Sequence, residues 1–141
     1  MMRKVLLDTN MLIGAFDAEP GNEAHFKARE RLQTLLQDAE VKLAISPLIR
    51  YEVMRGAKNV PFEQLQAILN DFHEFDVRAR DAERAAELFQ AARRQGLSLD
   101  KRAFDLFHCV CAELNQLEFE SNDGDVSKIQ NLIRQLTMQQ A

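Results

Sequence analysis

Val5-Leu6-Leu7-Asp8-Thr9-Asn10 is an apolar run that ends at a carboxylate. Lys4 to Leu7 reads as a short central strand. The polar triplet after it can cap a helix running from Met11 to about Phe16. A protein surface accommodates acids anywhere, whereas a core accepts them only when they are paired, hydrogen-bonded or holding a metal. Three later segments also set a carboxylate beside a buried-looking element: LIRYEV at 48–53, AFDLFHCV at 103–110 and FESNDGDV at 119–126. Four such placements in one small chain point to a shared site.

Outward from that strand, the pattern alternates between strand and helix. Pro20-Gly21-Asn22 is a break. Glu23 to Asp38 carries Phe26, Leu32, Leu35 and Leu36 in a charged background, the pattern of a surface helix. Val41 to Ile45 is a second strand. Ser46-Pro47 then places an N-cap before a proline in the first helical position. The helix that follows, with Leu48, Ile49, Val53 and Met54, stops at Gly56. Pro61 opens another helix to about Asn70, its stripe made of Phe62, Leu65, Ile68 and Leu69. His73 to Phe75 is a very short third strand. Asp76 to Gln95 is a long amphipathic helix closed by Gly96, and Leu97 to Leu99 links it to a second long helix, capped by Asp100 and reaching about Asn115. Leu117 to Phe119 is a further strand, the SNDGD loop follows, and Val126 to Met138 is helical. Strands alternating with helices predict one α/β domain over residues 1–141, with four or five short parallel strands covered on both faces.

The composition bounds the function classes. The chain has 141 residues, enough for a core without staples, and is 46% hydrophobic and 28% charged, an ordinary globular balance. Nothing approaches the roughly 18 consecutive apolar residues of a membrane span. The basic start, MMRKVLLD, is cut by Asp8 before it could serve as a signal peptide. Cys109 and Cys111 lie two apart in a helical pattern and point in different directions, so they read as small core residues in a reducing, cytoplasmic setting. A formal charge of −4 argues against a large nucleic-acid surface but leaves room for a local basic rim.

In an open parallel sheet, ligands bind beyond the carboxyl ends of the strands, near a switch in strand order. Asp8 ends the first strand and Asp123 and Asp125 follow a later one, so parallel strands would bring them to one edge. Glu52 lies on a helix, at the boundary of its buried face. Asp105 lies near the first turns of another, among Ala103, Phe104, Leu106, Phe107 and Val110, where the helix N-terminal field favours negative charge. A salt bridge or cap would account for either acid alone. Several carboxylates together repel, and a divalent cation turns that repulsion into binding energy; an all-oxygen set suits Mg2+ or Mn2+. His108 could face the same way as Asp105, but a lone histidine there reads as a packing or surface residue.

These residues carry a resemblance. The chain is similar to PIN domains, and particularly to the VapC-type toxins of bacterial toxin–antitoxin pairs. The similar motifs are VLLDTNMLI at 5–13, Glu52 with Gly56 four residues on, Asp105 opening DLFHCVCAE, and Ser121-Asn122-Asp123-Gly124-Asp125 after a strand. The resemblance runs from about Val5 to Ile129. It departs at Val126, where the family motif has an aromatic, and in a tail that reads as helix where many relatives have a last short strand. It implies a three-layer α/β/α fold and a catalytic quartet, Asp8, Glu52, Asp105 and Asp123, holding one or two Mg2+ or Mn2+ ions. Asp125 would be an auxiliary metal-reaching acid, Thr9 would fix a neighbouring acid and Asn10 would orient its loop.

The activity so implied is hydrolysis of RNA phosphodiester bonds, leaving a 5′-phosphate. Restraint by a cognate antitoxin and a homodimeric state are implied too, and the amphipathic helices Glu23–Asp38 and Pro61–Asn70 are candidate partner surfaces. Positive charge should rim an acidic RNA site. Arg50, Arg55 and Lys58 flank the Glu52 helix, Lys101 and Arg102 flank the Asp105 helix, and Arg93 and Arg94 precede Gly96; Arg50, Arg55 and Arg102 are the foremost RNA-contacting candidates. One alternative is a PIN-type nuclease of RNA processing or turnover that has no antitoxin. Another is a small-molecule phosphatase, disfavoured because Asp8-Thr9-Asn10 lacks a second acid. The third is a binding module without catalysis, against which the retention of all four acids argues.

Overall fold

A computed structural model describes residues 2–121 and 123–140; Asn122, in the loop of the last motif, lies outside them, as do Met1 and Ala141. The chain runs β1 (Arg3–Leu7), α1 (Thr9–Asp17), α2 (Glu23–Gln37), β2 (Val41–Ile45), α3 (Pro47–Gly56), α4 (Phe62–Asn70), β3 (His73–Glu74), α5 (Ala79–Arg94), α6 (Ala103–Leu114), β4 (Glu118–Glu120) and α7 (Gly124–Gln140). The four strands form one sheet in the order β3-β2-β1-β4, every pairing parallel. In register, Val5 lies between Leu43 and Glu118, and Leu6 between Ala44 and Phe119. Val5, Leu6 and Leu7 are all buried, because helices cover the central strand on both faces. The result is the expected three-layer α/β/α architecture, with four strands.

Two apolar clusters hold the layers. One joins β1 and β2 to α1–α4 through Leu12, Leu32, Leu35, Ile49, Val53, Leu65 and Leu69. The other joins α5, α6 and α7 through Leu88, Ala92, Leu106, Val110, Val126, Ile129 and Leu132. The tail is therefore a helix with a buried stripe. Val126, where the family motif has an aromatic, is buried in it. On α2 and α4 the apolar stripe divides: Leu32, Leu35, Leu65 and Leu69 are core, while Phe26, Leu36 and Phe62 are exposed.

Ser46 caps α3 as read, its Oγ accepting from Ile49 N–H at 3.3 Å with Pro47 beside it. Among the boundaries that move, α1 spans Thr9–Asp17 and α7 begins at Gly124, and three others shift for visible local reasons. Arg78 is extended and its N–H is held by Asp81 Oδ2 at 3.3 Å, so α5 begins at Ala79 rather than Asp76. Asp100 accepts from the Ser98 hydroxyl at 2.9 Å instead of capping, and α6 begins at Ala103. Gln116 turns the chain at φ 57°, so β4 begins at Glu118 rather than Leu117.

Candidate active site

The strand order reverses at the seam between β1 and β4, and a parallel sheet opens a crevice there beyond its carboxyl ends. Asp8 and Ser121 are the first residues past those two strand ends. The pairing runs one step further than the strands, with Asp8 N–H donating to the Glu120 carbonyl at 3.2 Å. The Ser121 hydroxyl donates to Asp8 Oδ2 at 2.8 Å. Asp8 stands at the N-cap position of α1, but its side chain makes no capping bond, so the capping reading fails. Its backbone carbonyl takes the Leu12 N–H, at 3.2 Å, and the carboxylate pairs across the seam instead.

The loop after β4 is held by its own polar groups. Ser121 Oγ accepts from Asp123 N–H at 3.1 Å, and Asp123 Oδ1 accepts from Asp125 N–H at 2.8 Å. One oxygen of Asp123 thus caps α7, whose positive end also favours the charge. Asp125 pairs with Arg102 and, at 3.7 Å, with Lys128. Two cations on its carboxylate make it a clasp between α6 and α7.

Glu52 reaches in from α3. Its Oε1 accepts from Thr9 Oγ1 at 2.8 Å and meets His108 Nε2 at 2.7 Å. Gly56 serves the same approach, since a Cβ there would stand 2.8 Å from Ile13 Cδ1 of α1. Asn10 is exposed and its side chain makes no hydrogen bond among the described residues. His108 is 1% exposed and lies three residues from Asp105 on α6, so reading it as a mere packing or surface residue missed a contact. Spacing within α6 places His108 beside Asp105, but only the crossing of α3 and α6 places it on Glu52.

Three aspartates share one electrostatic field. Burial, and then the charge of Asp123, raise the Asp8 carboxyl above its usual range, against the opposing Ser121 hydroxyl, His108 and Thr9 N–H. Asp105 is raised by burial, then by Asp123 and Asp8, with His108 and Arg102 opposing. Behind them the Cys109 thiol is raised by burial and then by Asp105, Asp8 and Asp123. Glu52 moves the other way. Burial pushes it up, but the His108 and Thr9 hydrogen bonds, with His108 and Arg55 nearby, together outweigh that and lower it.

Asp8, Asp105 and Asp123 therefore lie within mutual repulsion, with Glu52 joined to them through Thr9 and His108. Among the described residues, no group of three or more His, Cys, Asp or Glu side chains stands in a metal-holding arrangement. The donor chemistry still fits a hard divalent cation, because carboxylate oxygens that repel one another are what such an ion offsets. Two further buried acids lie outside this group. Asp17 Oδ1 accepts from Lys58 and Asn59 N–H, both at 2.9 Å, and Asp81 backs the start of α5. Of the basic candidates, Arg102 meets Asp105 at 3.6 Å and pairs with Asp125. Arg55 lies over the exposed Tyr51 ring, 5.1 Å from its centroid. Arg50 pairs with Glu74, its Nη2 at 2.5 Å and its Nε at 3.1 Å from Oε1, so it, like Arg102, already has a carboxylate partner.

The sequence matches the PIN domain family over residues 5–132. The chain belongs to that family. Within the PIN domain, the matched span runs from β1 to α7 and includes every acid of the site. A solved chain of VapBC2 from Rickettsia felis, bound to a DNA fragment from its promoter, superposes with a TM-score of 0.66 at 22% identity, covering 91% of this chain and 94% of that one. A chain of a toxin–antitoxin complex from Klebsiella pneumoniae superposes with a TM-score of 0.63 at 25% identity, covering 84% of this chain and 86% of that one. No curated protein matches the sequence significantly.

Proposed function

We propose that this PIN domain is a Mg2+- or Mn2+-dependent endoribonuclease and the toxin of a VapBC-type pair, acting in the cytoplasm. The observation that carries the reading is the shared field of Asp8, Asp105 and Asp123 at the carboxyl edge of the sheet, where the strand order switches. Those residues and Glu52 would hold the ion, with Asp125 as the auxiliary acid. A divalent ion held there would supply Lewis acidity toward phosphoryl oxygens and would lower the pKa of a water, the chemistry of a hydrolysis that leaves a 5′-phosphate. The chain's own residues hold the ligands still: Ser121 orients Asp8, the first turn of α7 orients Asp123, and Thr9 with His108 orients Glu52. Arg102 and Arg55 provide positive charge beside the acids for the RNA backbone.

Both solved relatives come from toxin–antitoxin assemblies, which supports an antitoxin partner. Exposed Phe26 and Leu36 on α2 and Phe62 on α4 are apolar surface suited to that partner or to a second copy in a homodimer. Among the described residues no helix is long and apolar enough to cross a membrane. The test is cleavage of a defined RNA pool with Mn2+ or Mg2+ by the native chain, Asp8→Asn and Asp105→Asn. Loss of cleavage in both variants supports the reading, and equal cleavage by all three sinks it. Inhibition by the product of an adjacent small gene separates a toxin from a PIN nuclease of RNA processing.

A further inference from the structure

We propose that His108 is a positioning residue: together with Thr9 it saturates Oε1 of Glu52, so that the glutamate presents Oε2 alone to the acidic crevice. The contacts are short, 2.7 Å from His108 Nε2 and 2.8 Å from Thr9 Oγ1, and they converge on one oxygen from two different helices. A carboxylate only accepts hydrogen bonds, so Nε2 carries the proton. The ring has little freedom to do otherwise. Phe104 and Phe119 stand against it, with centroids 6.5 and 6.2 Å away, and it is 1% exposed.

Packing alone does not explain a histidine here. Its Nδ1 is buried without a hydrogen-bond partner among the described residues, a cost that leucine at the same place would not carry. What histidine adds is the tie from α6 to Glu52 on α3, across 56 residues of sequence. Glutamate has one more rotatable bond than aspartate, and two donors on one oxygen remove that freedom. Outer partners of this kind typically account for about 10–100-fold in metal affinity or activity.

The inference rests on the metal-dependent nuclease reading, and its test separates the two. Mn2+ alone is titrated into the full chain and followed by the free-ion resonance signal, for the native protein and for His108→Leu, His108→Gln, Thr9→Val and Glu52→Gln. RNA cleavage is measured in parallel. We expect His108→Leu to weaken Mn2+ by about 10–100-fold and to lower kcat with the RNA KM unchanged. His108→Gln, which keeps an N–H donor at similar reach, should recover most of the loss. Adding His108→Leu to Glu52→Gln should cost nothing further, because both act through one carboxylate. Thr9→Val gives an independent reading of the same oxygen should His108→Leu fold poorly. Native-like Mn2+ affinity in His108→Leu and Thr9→Val, or an equal loss from His108→Leu in the Glu52→Gln background, overturns the positioning role alone. A native chain that neither binds Mn2+ nor cleaves RNA overturns the nuclease reading and this inference with it.

Discussion

Asp105→Asn should make the metal-free protein more stable at neutral pH while destroying its response to metal. Asp105 lies in the first turn of α6, partly buried, and is raised by burial and then by Asp123 and Asp8. Neutralising it removes that repulsion. Two losses oppose the gain: the 3.6 Å contact with Arg102, worth about 0.5 kcal/mol, and the interaction with the helix terminus, about 0.3–1 kcal/mol. Burial and like charge raise the carboxyl against Arg102 and His108, so a net gain is expected, and single stabilising changes are typically worth about 0.5–2 kcal/mol. At about 2.1 cal/mol/K per residue, a chain of 141 residues shifts its Tm by about 3 °C for each kcal/mol. The gain has a pH signature. An unfolded aspartate titrates near ~3.9, and the folded carboxyl higher. Between the two values the native state holds more protons, so native stability falls as pH rises through that interval and then stays at its lower level. The advantage of the variant should therefore be absent below the interval and full above it. At ~100 times its Kd, Mn2+ should add about 2.7 kcal/mol to the native chain and far less to the variant. Calorimetric melts across pH, with and without Mn2+, give the answer. A variant less stable at pH 7, or an advantage independent of pH, would refute the reasoning.

Arg50→Ala should cost about 1 kcal/mol in urea unfolding, because it breaks the half-buried pair with Glu74, and should leave the salt dependence of RNA cleavage unchanged; a reduced salt slope would restore Arg50 to the RNA path. Tyr51 is the single tyrosine in a chain without tryptophan and neighbours Glu52, so its emission should change when non-cleavable RNA binds. Binding seen by anisotropy with unaltered tyrosine emission would place the RNA elsewhere. Cys109 and Cys111 are buried, and burial lifts Cys111 to about 11, so neither should react with a thiol reagent at pH 8 until the chain unfolds; rapid native modification would contradict the packing of α6.

Legibility tracked the range of the forces involved. The β2–α3 passage, with its strand, serine cap and proline, matched the expectation because each signal acts within a few positions, while α3 runs through Gly56 to a cap at Ala57. The start of α5 slipped because an acid three residues into the helix held the backbone ahead of it extended, a competition that apolar spacing does not record. Asp125 could be named as an acid near the site, but its pairing with Arg102 and Lys128 depends on how α6 meets α7. Arg50 could be named as a charge near Glu52, but its pairing with Glu74 depends on where β3 lies against α3.

By itself, the sequence determined that Asp8 ends a buried strand, that Glu52 and Asp105 ride on helices with apolar flanks, and that Asp123 follows a later strand. Those are one-dimensional facts, set by hydrophobic period and turn chemistry. Only the tertiary structure decided what each carboxylate does. The β1–β4 seam gave Asp8 to Ser121 rather than to its own helix, and the crossing of α3 and α6 gave Glu52 to a histidine 56 residues away. Hydrogen bonds and charge repulsion fall off over a few ångströms, and distances that short between remote residues exist only once the sheet and its helices have packed.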